Sequence, residues 1–154
     1  GATGAMILGT AACMTMGAAG VWTGSMWLTT IEAETPQVIK EKYVAASSRD
    51  TVRSKARTGK FSRQLKSAWT DAWEAASAPS PLPMPLQSRV AEPALSKVNK
   101  LAAGGHEGAK ELSTYFVGQG VGLMNSIQNT KAVVFDFKQD YLEAVERLNE
   151  TIDE

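Results

Sequence analysis

The apolar positions divide the chain into two unlike stretches. Residues 1–31 mix apolar side chains with glycine, alanine and threonine and carry no charge, whereas later apolar positions recur among charges. In the first stretch, Ala5, Met6, Ile7, Leu8, Ala11, Ala12, Met14 and Met16 predict a helix over 4–17 that Gly17 stops. Ala19-Gly20-Val21-Trp22-Thr23 follows a turn signal as a short apolar run, which predicts a buried strand. The run does not alternate, so burial on both faces is expected, as in a parallel sheet covered by helices. Gly24-Ser25 then opens a helical segment at Met26-Trp27-Leu28, completing one α/β repeat.

Beyond it the pattern predicts helices and irregular links. Thr35 as cap and Pro36 at the first position start a helix whose apolar face is Val38, Ile39, Tyr43 and Val44. Residues 47–60 form a basic, polar connection. Phe61, Leu65, Trp69 and Trp73 recur every four residues, which predicts an amphipathic helix over 61–75. The proline-rich run 77–85 must be an extended link. A helix over 86–101 follows, kinked or divided at Pro93 and ended by Gly104-Gly105. Val134, Phe137, Tyr141, Val145, Leu148 and Ile152 give the clearest helical spacing in the chain. No internal repeat is visible.

Composition narrows the class. A chain of 154 residues is about one domain long and can bury a real core. Net charge is zero, which gives no global case for nucleic acid or an anionic membrane as partner. Cys13 is alone, which excludes an internal disulfide and fits a reducing, cytoplasmic setting. The uncharged start lacks the basic segment of a secretory signal, and its glycines dilute the hydropathy a membrane span needs. The zero net charge hides one basic stretch, Arg49, Arg53, Lys55, Arg57, Lys60, Arg63 and Lys66, with only Asp50 against it. A solvated face is the simpler account; a helical module that binds an acidic partner through 49–66 is the alternative function.

The segment richest in chemistry is Met16 to Leu28. A strand ending in Thr23-Gly24-Ser25 and entering a helix turns several backbone N–H groups toward one point, and the two hydroxyls add donors. From the local pattern alone a plain strand–turn–helix corner is the better account. The segment resembles the last barrel strand and phosphate loop of the nitronate monooxygenase (2-nitropropane dioxygenase) family, with Ser25 where threonine is commoner. Two further blocks are similar to that family in the same order. They are Asp50-Thr51-Val52-Arg53-Ser54 with Arg57-Thr58-Gly59-Lys60, and Val117-Gly118-Gln119-Gly120-Val121-Gly122-Leu123-Met124.

The resemblance implies an α/β fold, the C-terminal portion of an FMN-binding (β/α)8 barrel with a helical extension, the chain itself being mostly helical. Residues 1–34 would be the last barrel unit with the phosphate loop, and 35–154 the extension. Trp22, Thr23, Gly24 and Ser25 would bind FMN, Gln119 would face the flavin, and the substrate would be a small nitronate. A barrel takes about 250 residues, so the other strands are expected N-terminal to this chain, which would be inactive alone. The glycine pair that the family places after strand seven has no aligned counterpart, although Gly1 and Gly4 lie near it. Ala103-Gly104-Gly105-His106-Glu107-Gly108 imitates the motif of the family's catalytic base, but it follows the phosphate loop instead of preceding it. His106 is therefore expected to be an exposed residue at a helix end, and no catalytic residue is assigned. The run Gly118 to Gly122 lacks dinucleotide-fingerprint spacing and is expected to be a close-packed turn.

Overall fold

The computed structural model describes residues 4–153, with side chains described from Thr10 to Ile152. Helix α1 runs from Gly4 to Thr15, and Gly17 stops it at φ 100°. The stop is a Schellman motif: Ala18 N–H donates to Cys13 O at 3.0 Å and Gly17 N–H to Met14 O at 2.9 Å. The strand expected over 19–23 does not form. Residues 18–24 have no regular structure, and the Trp22 side chain is 99% exposed. A buried parallel strand is held by ladders on both edges and layers on both faces. Among the described residues the one sheet is an antiparallel hairpin elsewhere, so this segment has neither.

A 3-10 turn, Ser25–Thr29, leads into helix α2, Gln37–Ala45. Thr35 does not cap α2; Pro36 takes the cap position, without a side-chain bond. Strands β1, Thr51–Ser54, and β2, Ser62–Leu65, pair with Thr51 opposite Leu65 and Arg53 opposite Arg63. The helix expected over 61–75 is thus half strand. A spacing of four is a multiple of two as well as close to 3.6, so Phe61 and Leu65 share a strand face as readily as a helix face. Only Trp69 and Trp73 lie on a helix, α3 (Ala68–Glu74), which starts at a capping box between Ser67 and Thr70. The basic connection likewise holds β1 and a tight turn at Gly59, φ 82°.

After the extended link, α4 runs unbroken from Leu86 to Ala103 with Pro93 inside it. Helix α5, Glu107–Leu112, precedes residues 115–117, which lie along β2. There Leu65 N–H donates to Tyr115 O at 3.0 Å and Val117 N–H to Arg63 O at 3.2 Å. A second 3-10 turn, Gln119–Leu123, and the long helix α6, Thr130–Asp153, complete the chain. No described helix is long and apolar enough to cross a membrane.

The core gathers Ile39 and Tyr43 of α2, Leu65 of β2, and Val117, Val121 and Met124. Tyr43 donates to Phe116 O at 2.7 Å, and its burial raises the phenol above its ordinary pKa. Arg57 holds the hairpin turn to α4. Its guanidinium meets both carboxylate oxygens of Glu92, at 2.6 and 2.8 Å, and stacks on Tyr115 and Phe116. Helix α6 packs on α1. Its first amide, Thr130 N–H, donates to the Glu32 carboxylate at 2.8 Å.

Candidate functional site

The loop at Thr23-Gly24-Ser25 owes its shape to the 3-10 turn, closed by Trp27 N–H donating to Gly24 O at 3.2 Å. The indole of Trp27 donates to Thr23 Oγ1 at 3.1 Å, and Gly118 N–H donates to Ser25 Oγ at 2.7 Å. Each hydroxyl is therefore fixed as an acceptor and keeps its own hydrogen to give to a ligand. Gly24 has an ordinary negative φ of −130°, and a Cβ there would meet nothing within 4 Å. Neither backbone strain nor packing explains glycine at this point. What glycine adds is open access to the backbone.

The bond between Ser25 and Gly118 joins two blocks that lie 93 residues apart. A Cβ on Gly118 would come within 3.0 Å of Ser25 Oγ, and one on Gly122 within 2.9 Å of Ser48 N. The glycine run after residue 117 is therefore the close-packed turn that was expected. Beside the junction opens a cleft of about 430 Å³, whose walls include Gly24, Ser25, Ser62, Arg63, Tyr115 and Gly118. Trp22, Thr23 and Gln119 are not in its lining: Trp22 projects into solvent, Thr23 is held by the Trp27 indole, and Gln119 borders a separate cavity with Ser47 and Ser48.

The sequence did not single out Arg63 as a wall residue; it stood within the basic stretch. No pattern in the sequence marked it: along β2, Ser62 and Arg63 are half-buried and Gln64 and Leu65 buried, so burial does not alternate. Arg57 leaves the basic face altogether, being buried against Glu92. His106 caps α5, where its Nδ1 accepts from Ala109 N–H at 3.3 Å, and it is exposed. Gly1 lies outside the described residues. Among the described residues no group of histidine, cysteine and carboxylate side chains could hold a metal ion.

The model of the family described as nitronate monooxygenase matches residues 2–140, which include all three sequence blocks. A Mycobacterium tuberculosis (strain H37Rv) protein named as a candidate monooxygenase is 47% identical over 138 residues, 90% of this chain and 37% of that protein. Among solved structures, FabK from Thermotoga maritima is similar with a TM-score of 0.65 and 30% identity, over 92% of this chain and 42% of that one. A single-substitution mutant of FabK gives 0.61 and 27%, over 93% of this chain and 40% of that one. The chain therefore spans about two-fifths of the length of the relatives it matches. The names of the matched family and of the bacterial relative both point to an oxidoreductase of the monooxygenase class. Within that class, this chain belongs to the nitronate monooxygenase family.

Proposed function

We propose that this chain is the C-terminal part of an FMN-dependent oxidoreductase acting on alkyl nitronates, and that it supplies one wall of the flavin phosphate site. The observation that carries the reading is the Ser25–Gly118 bond, which fixes a hydroxyl beside a glycine with open space above it. These features fit a phosphate ester: two hydroxyl hydrogens remain to be donated, and the first N–H groups of a 3-10 turn have no partner within the turn. Bound flavin would supply the redox chemistry. The chain's own contribution is to hold the phosphate and orient what is attached to it.

Proton removal from the substrate falls to a base outside this chain, since His106 is absent from the cleft lining and its Nδ1 is engaged in the helix cap. In this reading residues 1–34 carry the cofactor loop, residues 35–154 cover it, and the remaining barrel strands precede the chain. The test is a flavin titration of the full-length protein. Gly24→Val should weaken FMN binding about ten-fold or more by closing the approach to the backbone. Unchanged affinity would remove this loop from the site.

A further inference from the structure

The cleft beside Ser25 has a source of charge that the loop does not provide. Of the seven basic side chains between 49 and 66, Arg63 lines it. Its place follows from the backbone: Val117 N–H donates to Arg63 O at 3.2 Å, and the next amide, Gly118 N–H, donates to Ser25 Oγ at 2.7 Å. Residues 63 and 25 are thus bonded to consecutive amides of one strand-like segment.

The guanidinium is tethered but not neutralised. Nη1 donates to Thr51 Oγ1 at 2.8 Å, which fixes the head through a neutral partner and leaves other N–H donors. No ion pair involves Arg63 among the described residues, and Arg53, directly opposite it on β1, lays its guanidinium over the Phe61 ring. Arginine's planar fork also matches a phosphate geometrically, as a lysine does not.

We propose that Arg63 is a further binding residue, the charge partner of the phosphate dianion held at Thr23, Gly24 and Ser25, with Thr51 as its positioning residue. The proposal rests on the flavin reading above and assigns a new residue to it. It predicts a loss specific to the phosphate. In the full-length protein, titrated by flavin fluorescence, Arg63→Gln should weaken FMN about ten-fold or more while riboflavin, which has no phosphate, stays within about two-fold. Arg63→Lys should fall between Arg63→Gln and the parent, and Thr51→Val should weaken FMN by a smaller factor in the same phosphate-specific way. Thermal unfolding of each variant identifies any that lose the fold, and the conservative Arg63→Lys and Thr51→Val changes keep the test decisive in that event. Equal losses for FMN and riboflavin would make Arg63 structural. Unchanged FMN affinity with a raised KM for the nitronate would give the residue to the substrate; either result overturns the proposal. A parent protein that binds neither flavin overturns the cofactor reading itself, whereas tight FMN binding that is indifferent to Arg63 overturns only this assignment.

Discussion

At the scale of single residues, the positions that matter most to the fold are those where a side chain or its absence is fixed by close contact. A Cβ on Gly59 would run into the carbonyl oxygen of Leu82 and lie 2.7 Å from Met84 N, at a φ of 82°. Arg57 is the complementary case, a charge buried because a carboxylate, a carbonyl and two aromatic rings receive it. Arg57→Ala should cost about 2–3 kcal/mol, read as a lower Tm, less than a fully buried pair because Glu92 is half exposed. Arg57→Lys should recover only part of it, since an ammonium cannot reproduce the paired fork. His106→Ala, by contrast, removes one capping bond. On the proposed function, turnover of the full-length protein with a nitronate should stay within a few-fold; a drop of about 100-fold, the scale of a lost general base, would make His106 catalytic after all. The order of motifs along the chain made His106 legible as a helix-end residue. Nothing comparable made Arg57 legible, because a buried arginine is written like a surface one.

At the scale of elements, spacing was informative wherever one period was possible. Helix α6 was legible because its apolar positions mix steps of three and four, a pattern that keeps one helix face but not one strand face. The stretch from Phe61 to Trp73 was not, because its even steps satisfy both periods and the change from β2 to α3 is marked only by the Ser67 cap. The start of α6 also gives a pH prediction. Bonds from its own backbone N–H, and then from the side chain and backbone of Thr130, lower the Glu32 carboxyl below its ordinary pKa. A group depressed in the folded state stabilises it above the unfolded pKa and loses that contribution as pH falls through the folded value. Acidification should therefore loosen the α6 terminus below the ordinary carboxylate range. Amide exchange at Thr130 should accelerate there, and Glu32→Gln should flatten the dependence; a pH-independent exchange rate once the intrinsic rate is divided out would dismiss the clasp.

For the whole molecule, the candidate site was legible as a loop but its neighbouring cleft was not. Thr23, Gly24 and Ser25 stood out by their types, whereas Ser62, Arg63 and Tyr115 come beside Gly24 and Ser25 only through pairings across the fold. At the same scale, apolar side chains remain uncovered: Met16, Trp22, Ile31, Phe135 and Ile152 are each more than 60% exposed. Covering such a side chain is worth roughly 1.5–3 kcal/mol, so several together rival the stability of a domain. The 154-residue chain on its own should self-associate, seen as concentration-dependent sedimentation; a monomer across the range would show that this surface is tolerated in water. The extended link carries a different consequence. Residues 79 and 80 are exposed, while on either side the chain is clamped, Leu82 N–H to Gln87, Gln87 to Ala56 O, and Glu92 to Arg57. Ser25 lies before this stretch and Gly118 after it. A protease nick there should leave two peptides that stay together and share one cleft, so the fold is in effect a split protein already spliced, open to reassembly from separately made halves.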